Sequence, residues 1–180
     1  MKLAILLFSL LFIITPDDPV DKLVTAAANG DVSKVASALK KGVDINAKNR
    51  ARWNALGYAC KYGHFEVVKF LVEKGAKVND PINTGSTPLA VAILEGNFDI
   101  ANYLIEHKAD VNIPDLMGMS PLMWAVKANQ IKMVEFLVKN GANVNDVNQN
   151  GRSVLDLATD NNIIKYLKTN GAKTSAELLK

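Results

Sequence analysis

Leucine returns at one fixed interval along this chain: Leu23, Leu56, Leu89, Leu122 and Leu155 stand 33 residues apart. Three places after each comes a small residue, Ala26, Ala59, Ala92, Ala125 or Ala158. Two places before each stands a polar one suited to opening a helix, Asp21, Asn54, Thr87, Ser120 or Ser153. A side-chain oxygen there accepts from the unpaired N–H groups of a first helical turn. The spacing therefore predicts the same helix start five times. Pro88 and Pro121 fall directly after their caps, where a missing N–H costs nothing.

These helices are predicted to stop at Gly30, Gly63, Gly96 and Asn129, residue types that tolerate the left-handed backbone ending a helix. A second helix follows in each unit. In Phe65-Glu66-Val67-Val68-Lys69-Phe70-Leu71-Val72, apolar positions recur at three- and four-residue steps, the pattern of a half-buried helix. It ends at Gly42, Gly75 and Gly141, with Lys108 in that place in the third unit. Extended stretches such as Val43-Asp44-Ile45-Asn46 and Ala109-Asp110-Val111-Asn112 then lead through a polar turn to the next cap. A unit of this length cannot bury its own apolar face, so the units must stack. The predicted fold class is an α repeat solenoid.

The residues Thr87-Pro88-Leu89, Gly63-His64-Phe65-Glu66-Val67-Val68 and Ala109-Asp110-Val111-Asn112 resemble the ankyrin-repeat pattern. The resemblance covers about Val20 to Lys173 and holds register through five units. It implies stacked antiparallel helix pairs with short β-hairpin fingers. The histidine usual after T-P-L is missing, replaced by Gly57, Ala90, Met123 and Asp156. The last unit reaches Gly171 three residues early, which fits a terminal cap with a polar outer face. The domain reading is five repeats over 20–174 (about 20–48, 49–81, 82–114, 115–147 and 148–174), with a tail at 175–180.

Ahead of the repeats, residues 1–15 read MKLAILLFSLLFIIT, followed by a linker at 16–19. Lys2 supplies a positive start and Leu3 to Ile14 an apolar run broken only by Ser9, the pattern of a secretory signal peptide. Those residues as a helix would span roughly 18 Å, against a bilayer core of about 30 Å. Export to a periplasmic or secreted location is the expectation. The alternative is an anchor through residues 3–14, since no Ala-x-Ala precedes Pro16 and proline hinders a cut there. Membrane contact is expected only if the leader stays uncleaved.

Charge and chemistry add mainly exclusions. The 180-residue chain has a formal net charge of +3, with acids interspersed and no basic block, so no nucleic-acid footprint is expected. Its one cysteine, Cys60, rules out an intramolecular disulfide and reads as a small buried hydrophobe. His64 takes the repeat's usual histidine place, and His107 reads as a solvated residue near a helix end. Asp146 to Gly151 imitates the start of a calcium loop, but the twelfth position, which needs a glutamate, is Leu157. Tyr58 and Trp124, two places after their leucines, are expected in the inter-helix core. The reading carries no catalytic residue, no metal site, no cofactor and no small-molecule substrate.

What the repeat leaves unconstrained points to a protein partner. Through the resemblance, partners are expected at the finger tips and the exposed ends of the first helices, on the concave face. The candidate partner-binding residues are Arg50, Trp53, Lys61, Tyr62, Leu116, Met117, Met119, Lys127 and Arg152. Trp, Tyr and Arg dominate interface energies, Met adapts to varied surfaces, and a shared apolar patch marks a partner site. The expected function is an exported, monomeric interaction module. The alternatives are a membrane-tethered scaffold, an inhibitor or immunity-type binder, and less favourably a small hydrolase.

Overall fold

The computed structural model describes residues 18–180. The leader at 1–15, and the signal-peptide and anchor readings that rest on it, lie outside the described residues. Five helix pairs run in order: α1 (Pro19–Ala28) with α2 (Val32–Lys40), α3 (Ala55–Lys61) with α4 (Phe65–Glu73), and α5 (Pro88–Leu94) with α6 (Phe98–Glu106). α7 (Pro121–Lys127) pairs with α8 (Ile131–Lys139), and α9 (Val154–Leu157) with α10 (Asn161–Thr169), before a last turn, α11 (Ser175–Leu178). The odd-numbered helices α1 to α9 pack side by side as an inner row, and α2, α4 and α6 as an outer row. The leucines of the 33-residue interval are buried, as are Ala26, Ala59, Ala92 and Ala125, which let the inner helices approach.

Four of the five anticipated caps form. Asn54 Oδ1 accepts from Gly57 N at 2.8 Å, Thr87 Oγ1 from Ala90 N at 3.3 Å, Ser120 Oγ from Met123 N at 3.4 Å, and Ser153 Oγ from Asp156 N at 3.2 Å. The first differs. Asp18, not Asp21, caps α1, accepting from Val20 N at 2.8 Å, and Asp21 lies in the first turn. Pro19 at the helix start makes the earlier cap favourable and lengthens α1 by a turn. The anticipated stops hold even where glycine is absent: Asn129 (φ 54°) and Lys108 (φ 71°) take the left-handed conformation.

Side chains lock each unit to the one before. His64 Nε2 lies 2.8 Å from Ala28 O, and since a carbonyl only accepts, this nitrogen carries the proton. Asn97 Nδ2 donates to Cys60 O and Gln130 Nε2 to Ile93 O, both at 2.9 Å, so one register position repeats the same link. Gly30 faces the His64 ring so closely that a Cβ would sit 2.8 Å from its Nδ1. A second ladder uses asparagine: Asn79 Oδ1 accepts from Asp110 N, Asn112 Oδ1 from Asn143 N and Asn145 Oδ1 from Lys173 N, each at 2.9 Å.

The connections between units are turns, not the expected β-hairpins. Among the described residues no strand forms, and an isolated antiparallel bridge joins Val147 to Ser153. The reason is local: Asx side chains take amides that a strand ladder would use. Asn49 Oδ1 accepts from Trp53 N at 3.0 Å, Asp115 Oδ1 from Met117 N at 2.8 Å, and Asn148 Oδ1 from Arg152 N at 3.1 Å. In the last unit the three missing residues come out of the inner helix. α9 is a single turn, and Ala158 leaves it in an extended conformation. Beyond it the chain folds back, with Ser175 N donating to Asp156 Oδ2 at 3.0 Å.

Candidate functional site

The second unit brings three aromatic rings into one run across the inner face. Trp53 leaves the first finger and meets Tyr58 at a centroid distance of 5.0 Å. One helical turn on, Tyr62 lies parallel to Tyr58 at 6.2 Å. Lys61 Nζ stands 5.2 Å from the Trp53 ring and 5.6 Å from Tyr62, so an ammonium lies within cation–π reach of both. Tyr62 is 52% exposed, a large apolar surface left to solvent at a helix end. The finger itself is fixed: Asn49 N donates to Trp53 O at 2.9 Å and Arg52 N to Asn49 O at 2.8 Å.

Tyr58 and Trp124 correct the expectation that both lie in the core. Each is half-buried and presents a ring on the finger side. At the same register position Val91 is buried and Leu157 half-buried, and Trp124 packs against the edge of the core. Trp124 Nε1 donates to Asp115 Oδ2 at 3.1 Å, and Lys127 Nζ sits 5.0 Å from its ring. The fourth unit therefore repeats, in smaller form, the cation-over-indole arrangement of the second.

The third finger divides the anticipated residues. Leu116 and Met117 are 68% and 56% exposed. Their backbones are tied to neighbouring fingers, Leu116 N to Thr84 O and Gln149 N to Met117 O, both at 3.1 Å; the exposed Leu116 side chain lies against Gly85 of the preceding finger. Met119 is corrected. It is 4% exposed, its amide donates to Asp115 Oδ1, and its sulfur accepts from Asn148 Nδ2. It packs into the core because the finger closes at Met119 O, which accepts from Asp115 N.

Arg50 and Lys127 are exposed on the finger and inner-helix sides. Arg152 is also exposed, but its guanidinium donates to Asp156 O at the far end of the stack, away from the Trp53–Tyr62 run. Arg52 is a further residue that sequence reasoning missed. It holds a left-handed φ of 61°, where the aligned finger positions are Gly85, Gly118 and Gly151. The same interval of 33 marks it as the odd residue out.

The remaining candidates for chemistry are absorbed by the scaffold. Cys60 is fully buried, and burial pushes its thiol well above the ordinary range, away from a thiolate. His107 is exposed, stacked on Tyr103 at 4.0 Å with Nδ1 donating to Tyr103 O. In the calcium-loop mimic, Asp146 Oδ1 accepts from Asn143 Nδ2, and Asn148 Oδ1 from Asn150 N, which closes a finger turn. Among the described residues no cluster of three or more His, Cys, Asp and Glu is placed to hold a metal ion, and no helix is long and apolar enough to cross a membrane.

Comparison with known proteins agrees with this architecture. The family model "Ankyrin repeats (3 copies)" matches residues 23–115 and 112–177. The mouse "Ankyrin repeat domain-containing protein 40" is 40% identical over 53 residues, 29% of this chain and 15% of its own. The rice "Probable E3 ubiquitin-protein ligase XBOS33" is 45% identical over 47 residues, 26% of this chain and 9% of its own. The aligned stretch is thus a small part of either relative.

Proposed function

The chain belongs to the ankyrin-repeat family, and on that footing we propose that it captures a partner protein through the face built by its fingers and inner helices. The repeats make it a protein–protein interaction module, of a family that is generally non-enzymatic. The observation that carries the choice of face is the run Trp53–Tyr58–Tyr62, with Lys61 lying against it and Tyr62 open to solvent. Anchors of this type dominate binding energies when a partner covers them. Leu116 and Met117 extend the apolar surface toward the fourth unit. Arg50 and Lys127 supply cations at its margin, and Arg152 lies apart at the far end of the stack.

The leader at 1–15 supports export, so the partner belongs to the cell envelope or the exterior, and the chain acts there as a monomer. A photo-reactive residue at Tyr62 or Met117 is expected to crosslink the partner in the intact envelope, and one at Lys69 on the outer helix α4 is not. The double variant Trp53→Ala, Tyr62→Ala should lose the crosslink acceptor with its helical signal intact. Full capture by that variant would remove this face from consideration. Mass measurement of the N-terminus decides separately between a cleaved leader and an anchor.

A further inference from the structure

Positions two, five and six after each leucine of the interval fall on the finger side of the inner helices. They are Tyr58, Lys61 and Tyr62 in the second unit, Val91, Leu94 and Glu95 in the third, and Trp124, Lys127 and Ala128 in the fourth. The second and fourth units each hold a lysine ammonium near an indole, at 5.2 and 5.0 Å. Between them lie Val91, buried, and Leu94, 40% exposed. The first finger adds Arg50 and Arg52, both exposed.

Three acids of this face are engaged by internal partners, which leaves their oxygens less free for a ligand. Asp115 accepts from Met117 N, Met119 N and Trp124 Nε1. Asp156 accepts from Ser153 N and Ser175 N, and Asp80 pairs with Lys48 at 3.0 Å and accepts from Asn54 Nδ2. Of the nine inner-helix residues named above, Glu95 is the acid, exposed in the unit between the two lysines. The outer helices mix their signs, with Glu66, Lys69 and Glu73 on α4, and Lys132, Glu135 and Lys139 on α8. The outer helices α2 and α10 carry lysines as well, Lys34 and Lys40, and Lys165 and Lys168, but a lysine ammonium set near an indole occurs at the two inner-helix sites.

We propose that this face accepts an extended acidic segment of a partner protein, with two carboxylates about six residues apart and an apolar residue between them; this rests on the face being the protein-binding one. The spacing follows from the fold. Packed helices lie about 8–10 Å apart, so two steps along the inner row separate the lysine–indole sites by about 16–20 Å. An extended chain advances about 3.3 Å per residue, which makes that span about six residues. Alternate residues of an extended segment share a side. Acids six apart therefore face the two ammonium groups together, and an apolar side chain two or four places after the first reaches Leu94. An acid there would meet Glu95 and be rejected, which supplies specificity by repulsion. Each ammonium is already held against a ring, so little side-chain freedom is lost when a carboxylate arrives.

The test is a selection from a displayed library of random 16-residue peptides on the immobilised full chain. Binding of the selected peptides is then followed by tryptophan emission. The chain's two tryptophans, Trp53 and Trp124, stand one at each site and report both ends. Selected peptides are expected to carry Asp or Glu pairs about six apart around an apolar residue. The double variant Lys61→Gln, Lys127→Gln should weaken them about tenfold or more, and Lys69→Gln should not. Neutral or basic selected sequences, acid pairs without a preferred spacing, or no enrichment would overturn the inference. So would sedimentation with phosphatidylserine vesicles that requires Lys61 and Lys127. If neutral peptides bind and the double variant Trp53→Ala, Tyr62→Ala abolishes it, the acidic segment falls while the face stands. If selected peptides bind that variant unchanged, the face itself falls.

Discussion

Trp124 donates its indole N–H to Asp115 Oδ2 at 3.1 Å, joining an inner helix to the base of the finger that precedes it. The same carboxylate accepts the amides of Met117 and Met119, so one side chain shapes the finger and fixes the ring. Asp115→Ala should leave those amides and the indole without their acceptor. Hydrogen bonds to a charged group are worth about 1.5–3 kcal/mol, which sets the expected loss on urea unfolding. Trp124 emission should shift as the ring loosens, while Trp53 emission stays unchanged.

Met117 and Met119 are two residues apart in one finger and should behave oppositely. Met119 is buried, and truncating a buried methionine costs about 2–5 kcal/mol. Met119→Ala is expected to lower the melting temperature, and any loss of partner capture should track that loss of stability. Met117→Ala, at an exposed site, should change stability by no more than about 0.5 kcal/mol and weaken capture. Paired melting and crosslinking measurements on the two variants separate the roles.

The contrast also shows where the sequence stops being legible. Helix starts and stops could be read because each depends on one local residue: Asn54, Thr87, Ser120 and Ser153 cap, and Asn129 and Lys108 take the helix-ending conformation. The identical register hid the difference between Val91, which is buried, and Tyr58 and Trp124, which stay half-buried and meet finger residues. Whether a finger methionine projects or folds inward depends on how Asp115 closes the turn, a contact that periodicity does not encode. Asp21 misled because the helix-opening Pro19 and the Asp18 cap outweigh the interval at the first unit.

Arg52 occupies a conformation that its three counterparts leave to glycine. A left-handed non-glycine residue costs about 1–2 kcal/mol, of which glycine's greater chain entropy returns roughly half. Arg52→Gly should therefore stabilise the chain by about 0.5–1 kcal/mol. It should also weaken partner capture, because an exposed cation of the first finger is lost. A variant that gains stability with undiminished capture would mean that Arg52 takes no part in binding. Strain of this kind is retained where the side chain serves a purpose that packing does not.

Acid should release the far end of the stack before the middle. The Ser175 hydroxyl, then the Ser153 and Ser175 amides, favour ionised Asp156 and lower its pKa from an ordinary 3.8 to about 2. A carboxyl lowered in the folded state adds stability that is complete above its unfolded pKa and is lost as pH falls through the folded one. The contribution of Asp156 should therefore be constant above about pH 4 and fade between about 3.8 and 2. Across that window, protection from amide exchange, taken relative to the intrinsic rate, is expected to fall first at Ser175 and along α11, while Leu89 and its neighbours stay protected. In Asp156→Asn the protection of the Ser175 amide, taken relative to its intrinsic exchange rate, should already be low at neutral pH and should not change across this window. If Ser175 in the parent chain titrates together with the middle repeats, Asp156 does not hold the C-terminal turn independently.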